Sequence, residues 1–107
     1  MKYKVIITET AKQDLRDISF WIAYRSKNID IAKKFINELR EAIRKLSIFP
    51  RSGSIPEDSI IKSSGFRFIV HKNYLIFYSI EESEKIVHIM AVFNSRQDYM
   101  RVITKFI

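Results

Sequence analysis

Arginine, histidine and tyrosine recur at short spacing in the last third of this chain. Arg67, His71, Tyr74, Tyr78 and His88 fall between Gly65 and Asn94, and Arg96 and Tyr99 follow. A guanidinium forks two N–H donors onto a phosphate or carboxylate. A Tyr beside it can orient that anion or stack on a base. A His titrates near neutrality and can move a proton, as RNA cleavage requires. Lys62 and Lys72 flank the first predicted strand of this region and could contact phosphate, or act as bases if their pKa were lowered. Each residue also has a plainer reading. A cross-strand Arg–Tyr pair can simply stabilise a sheet. A His in a turn is usually solvated, a His in a central strand is usually a hydrogen-bonded structural residue, and Arg96 alone is a surface Arg near a helix start.

The elements that must position these groups read as a three-strand antiparallel meander. His71-Lys72-Asn73-Tyr74 is a tight-turn sequence, because Asn tolerates the left-handed conformation. A two-residue loop pairs His71 with Tyr74 and, counting back, Arg67 with Tyr78. Glu81–Lys85 forms the second turn, and Ile86–Phe93 is a third strand, apolar enough on both sides to be central. Alternation then sorts the side chains. One face gathers Phe66, Phe68, Val70, Leu75, Phe77, Val87, Ile89, Ala91 and Phe93, and is expected to be core. The other gathers Arg67, Ile69, His71, Tyr74, Ile76, Tyr78, His88, Met90 and Val92, and is expected to be an outward binding surface of Arg67, His71, Tyr78 and His88, with Arg96 at its end.

Upstream, Lys2–Thr8 is rich in β-branched residues and reads as a strand. Thr10-x-x-Gln13 fits a capping box for a helix whose stripe is Ala11, Leu15, Ile18 and Ile22, running to about Tyr24–Ser26. Asp30 is the expected N-cap of a second helix. There Ala32, Phe35, Ile36, Leu39, Ala42, Ile43 and Leu46 keep helical spacing without a miss, and Pro50 ends the element. So short a connection makes an antiparallel helical hairpin, the natural cover for the sheet. Residues 49–64 read as a loop with a short extended piece at Ile60-Ile61. Ser95-x-x-Asp98 fits a capping box for a short C-terminal helix reaching about Lys105. The predicted class is α+β: an N-terminal strand, a two-helix hairpin on a mainly antiparallel sheet, and a short last helix.

Size and composition bound the rest. A chain of 107 residues holds one domain, spanning 1–107, and its 47% hydrophobic content is that of a globular protein. No apolar run is long enough to span a bilayer, and no signal peptide is evident, so a cytoplasmic location without membrane association is expected. The absence of Cys excludes disulfides and thiolate chemistry. With only Gly53 and Gly65, Gly-rich phosphate loops and dinucleotide motifs are excluded. Two His without a carboxylate pattern do not make a metal motif, so neither metal nor cofactor is expected. The formal charge of +7 points to a polyanionic target or an acidic protein partner.

The opening KVIITETAKQDLRDI, the loop FPRSG, the stretch GFRFIVHKNYLIFYSI and the ending VFNSRQDY, in this order and spacing, resemble the RelE/ParE superfamily of bacterial toxins across essentially the whole chain. The resemblance implies the growth-inhibiting half of a type II toxin–antitoxin module, neutralised by a small acidic antitoxin. RelE-like members cleave mRNA on the ribosome. On that branch Arg67 matches the strand Arg, Arg96 the Arg near the C-terminal end, Tyr99 the C-terminal Tyr and Lys62 the upstream Lys base, which makes these four the implied catalytic residues. Asn94 stands where many of those relatives have His. ParE-like members inhibit DNA gyrase and are not known as nucleases. The long second helix, FPRSG and RQDY lie closer to that branch. A third reading is a binding module that has lost toxicity and only sequesters an antitoxin.

Overall fold

The computed structural model describes residues 2–57, 59–63 and 65–95. Strand β1 (Lys4–Ile7) leads into helix α1 (Glu9–Ser26) and helix α2 (Ile29–Arg44), which tightens into a 3₁₀ turn at Lys45–Ser47. A short helix α3 (Ser59–Ser63) precedes strands β2 (Phe66–His71), β3 (Tyr74–Glu81) and β4 (Ile86–Asn94). The architecture is α+β, as the sequence predicts. The sheet runs β1-β4-β3-β2, with β1 parallel to β4 and the other pairs antiparallel, so β4 is central as expected. The predicted C-terminal helix lies outside the described residues.

Helix boundaries follow local hydrogen bonding more closely than pattern. The N-cap of α1 is Thr8, whose side chain accepts from the Ala11 amide, and Thr10 sits inside the helix. Asn28 caps α2 by accepting from the Asp30 and Ile31 amides, so Asp30 belongs to the first turn, where its charge complements the helix dipole. Lys27, in the left-handed conformation, ends α1 and leaves a two-residue link that folds the helices into a hairpin. The piece at Ile60-Ile61 is helical rather than extended.

The predicted pairings His71 with Tyr74 and Arg67 with Tyr78 are observed. The predicted faces are reversed in β2, β3 and the end of β4, whereas Val87 and Ile89 lie in the helical core as expected. The helices pack on Ile69, Tyr74, Ile76, Tyr78, Ile80, Val87, Ile89 and Val92, together with Ala11, Leu15, Ile18, Leu39, Ile43 and Leu46. Phe66, Phe77, Ala91 and Phe93, with Phe68, Leu75 and Met90 against them, form a separate cluster. Alternation also breaks within β4. Phe77 pairs with Ala91 but Tyr78 pairs with Ile89, leaving Met90 unmatched at a β-bulge. One extra residue re-aims everything beyond it. Ile89 and Val92 therefore share the helical side although they are three residues apart.

Where β1 ends, the open edge of β4 is taken up by α1. The Thr8 hydroxyl donates to the Ile89 carbonyl at 2.8 Å, and an Asp14 carboxylate oxygen accepts from the Val92 amide at 2.9 Å. Backbone groups on a half-buried edge need such partners, since an unmade hydrogen bond there costs about 1–3 kcal/mol. These bonds fix the start of α1 against the sheet and hence the whole hairpin.

Candidate functional site

The Arg67–Tyr78 pair forms, but it is a clasp rather than an outward surface. Tyr78 is 0% exposed. Its hydroxyl donates to the Pro50 carbonyl at 2.7 Å and accepts from the Gly53 amide at 3.0 Å. Burial pushes the phenol's pKa upward, which keeps the proton it must donate, while the Gly53 amide and the Arg67 charge act in the opposite sense. The guanidinium Nη1 of Arg67 donates to the carbonyls of Gly53 at 3.1 Å and Arg51 at 3.4 Å. Ser54 and Phe68 exchange backbone bonds of 2.8 and 3.0 Å. Six hydrogen bonds thus staple the segment Pro50–Ser54 to β2 and β3, with contributions from one arginine and one phenol.

Gly53 is required by this approach. A Cβ there would lie 2.4 Å from the Tyr78 hydroxyl and 2.7 Å from the Phe68 carbonyl oxygen. The FPRSG segment therefore needs Gly53 for room. Arg51, which sequence reasoning did not single out, is presented by the stapled loop and ion-pairs with Glu82. Glu82 also accepts from the Tyr3 hydroxyl at 3.0 Å. That bond, followed by the Arg51 contact, holds the Glu82 carboxyl below its ordinary pKa.

Arg51, Lys62, Arg67 and Glu82 line one cleft of about 220 Å³, with Ile55 among its walls. Three cations and one carboxylate leave the cleft with a formal charge of +2. Among the described residues, neither Lys62 nor Arg67 has a carboxylate partner. Two of the residues expected to do chemistry, Lys62 and Arg67, are thus brought together, and Arg51 joins them. The cleft can hold an anionic group, a carboxylate or a phosphate.

The other predicted members are dispersed. His71 lies at the far end of β2, where Nε2 meets Glu38 of α2 at 2.9 Å and its ring packs 5.6 Å from Phe35. Lys72, which takes the left-handed conformation in the turn, reaches the same Glu38 oxygen at 3.2 Å. The His71 hydrogen bond, then that of Lys72, lower the Glu38 pKa. Tyr74 is buried against Phe35, with ring centroids 5.4 Å apart. His88 pairs across the sheet with Ser79, on the opposite side from Tyr78, and contacts Glu81 at 2.9 Å. The two histidines therefore do not share a face, and the parity change at the Met90 bulge accounts for the difference. Tyr78 cannot stack on a base while its ring is buried. Arg96 and Tyr99 lie outside the described residues.

Among the described residues, no helix is long and apolar enough to cross a membrane. Comparison with known proteins gives the family. Residues 5–99 match the family model of the ParE toxin of type II toxin–antitoxin systems, parDE. No curated protein matches. Among solved structures, the chromosomal ParDE toxin–antitoxin system of Pseudomonas aeruginosa superposes with a TM-score of 0.72 at 15% identity, over 87% of this chain and 96% of that one. The RelBE2 toxin–antitoxin complex of Mycobacterium tuberculosis gives 0.66 at 21% identity, over 88% and 99%. A free-state mutant of the Escherichia coli toxin RelE gives 0.68 at 12% identity over the full length of both chains. At these identities the structures speak for a shared fold, and the match along residues 5–99 goes further: this chain belongs to the ParE toxin family of type II toxin–antitoxin systems.

Proposed function

We propose that this toxin arrests growth by inhibiting DNA gyrase and is neutralised by a small acidic antitoxin. The observation that carries the reading is the match to the ParE family over residues 5–99. The geometry is consistent with a binding role. Cleaving a phosphodiester by 2′-hydroxyl attack needs cations at the phosphate and a group that exchanges protons beside it. At the 220 Å³ cleft the nearby phenol is buried, and Arg67 spends Nη1 on the loop carbonyls. His71 and His88 pair with carboxylates elsewhere. A rigid loop carrying Arg51 next to Lys62 and Arg67 suits a grip on an acidic side chain of a protein partner.

A RelE-like ribosome-dependent mRNA endonuclease is the second reading. It is favoured by one observation, that Lys62 and Arg67 line the same cleft. Purified toxin assayed in parallel for gyrase supercoiling and for mRNA cleavage on translating ribosomes separates the two. Loss of supercoiling with intact mRNA is the expected result. Codon-level cleavage with normal supercoiling, abolished by Arg67→Ala in a folded protein, selects the second reading. Harmless overexpression of the folded chain leaves only the antitoxin-sequestering module.

A further inference from the structure

The loop held by the Tyr78–Arg67 clasp turns its largest apolar side chains to water. Ile48, Phe49 and Ile55 are 56, 63 and 46% exposed. Pro50, Gly53 and Pro56, which alternate with them along the chain, are buried. The backbone that carries them is fixed from both sides. The Ile48 and Phe49 amides donate to the Lys45 carbonyl at 3.1 and 3.0 Å. The Ser52 amide donates to the Phe49 carbonyl at 3.1 Å, which makes Phe49–Ser52 a turn with Pro50 at its second position. Just before it, the Ser47 carbonyl accepts from the Tyr3 amide and the Ser47 hydroxyl donates to the Tyr3 carbonyl, both at 2.8 Å.

Folding gains nothing from this arrangement, since an apolar side chain stabilises only when it leaves water. Binding does gain. A stiff loop with projecting apolar groups has little freedom left to lose when a partner closes over it. The charge beside the loop says what kind of partner that is. Arg51 stands between Phe49 and Ile55 in the chain, and Ile55 also walls the cleft of Arg51, Lys62 and Arg67. The loop thus joins apolar projections to a cleft of formal charge +2. Such a surface fits a protein with an apolar recess and an acidic rim. Nucleic acid would engage the cations and could stack on Phe49, but has no use for Ile48 and Ile55. A second copy fits poorly, because each carries a charge of +7.

We infer that the Ile48–Ile55 loop is the element with which this toxin docks on its protein target. Ile48 and Phe49 are the apolar anchors, and Arg51 meets the acidic rim around them. The inference rests on the proposed function, which makes that target gyrase, and names the toxin surface that would touch it. The clasp of Tyr78 on Gly53 then serves binding as well as stability, because it holds the anchors in place before the partner arrives.

The test compares the full-length parent with Ile48→Ser/Phe49→Ser. Each is measured for Kd and supercoiling inhibition with purified gyrase, and for Kd with the product of the reading frame adjacent to its gene. Melting temperature and growth arrest at equal expression are recorded in parallel. Val70→Ser is the control, since Val70 is 59% exposed at the far end of β2. The expected result is a gyrase Kd raised roughly 30-fold or more in the double variant, as loss of a binding hot spot gives. Inhibition and growth arrest fall with it, while melting and the Kd for the adjacent gene product stay as in the parent, and Val70→Ser matches the parent throughout. A double variant that inhibits gyrase like the parent overturns the docking element and leaves the gyrase reading intact. A parent that neither binds nor inhibits gyrase overturns that reading. Growth arrest then decides the loop by itself: arrest lost in the double variant supports it, and arrest retained overturns it. A double variant that also loses the adjacent gene product, or melts markedly lower, assigns Ile48 and Phe49 to neutralisation or to folding and overturns the proposal.

Discussion

The two ends of the β2–β3 hairpin hold the rest of the chain by opposite means. At one end, Tyr78 and Arg67 bind backbone groups of the Pro50–Ser54 loop, with the phenol wholly buried. At the other, His71 and Lys72 meet a Glu38 side chain that is 30% exposed. In sequence the two ends look alike, each an aromatic beside a basic residue. In the fold the first is a network in which a lost partner leaves a buried donor or acceptor unmet, and the second is a screened ion pair that water can replace. Burial, not residue type, decides how much each contributes.

The contrast is sharpest at Gly53. Gly53→Ala drives a Cβ into the Tyr78 hydroxyl and the Phe68 carbonyl, so the loop must leave the sheet. Urea denaturation should show a loss of roughly 3 kcal/mol, combining overpacking with broken hydrogen bonds. Tyr78→Phe keeps the ring and removes only the hydroxyl, leaving the Pro50 carbonyl and Gly53 amide without it. The expected loss is about 2 kcal/mol by the same measurement. If that variant is as stable as the parent, the hydroxyl is solvated and the asymmetry between the ends disappears.

The ion-paired end should answer to pH instead. Glu38 there has a folded-state pKa below the ordinary 4.5. Its stabilisation is therefore complete above about that value and is lost as pH falls through it toward the lowered folded value. Glu82, at the clasp end, is lowered in the same sense by Tyr3 and Arg51 and adds a share that Glu38 variants leave in place. Melting temperature recorded from neutral pH downward should fall across that window. Glu38→Gln should flatten the Glu38 share of the fall while changing neutral-pH stability less than either clasp variant does. An equal loss at neutral pH would mean that the two ends are alike. The smallest expected effect is that of Phe20→Ser on stability, within about 0.5 kcal/mol, since the ring lies outside the core.

Much of the fold was legible because local signals agreed. The spacing of α2, the two-residue turn after His71 and the central character of β4 all led to the observed pairing. The faces were not legible, for a physical reason. Both sides of this sheet are apolar, one through four phenylalanines and the other through Ile69, Ile76, Ile80 and two tyrosines. Alternation separates the faces without saying which meets the helices. The Tyr78 hydroxyl and Arg67 made the second face look polar, yet their partners are main-chain atoms of a distant loop that no residue pattern encodes. The bulge at Met90 added a parity change without a Gly or Pro to mark it. At the site, Arg67 and Lys62 were found from residue type. Arg51, Gly53 and Glu82 were missed, and the Pro50-to-Gly53 spacing in FPRSG was the one signal that a shaped loop stood there.

The central claim, that Tyr78 faces the helical layer and holds the Pro50–Ser54 loop in place, is tested most directly at the Gly53 amide. Its hydrogen exchange, measured in the parent and in Tyr78→Phe under native conditions, reports that one bond. The account predicts exchange faster by roughly tenfold or more in the variant, beyond any change at the Phe77 amide in the sheet. A Gly53 amide that exchanges equally in both proteins, relative to Phe77, would contradict it.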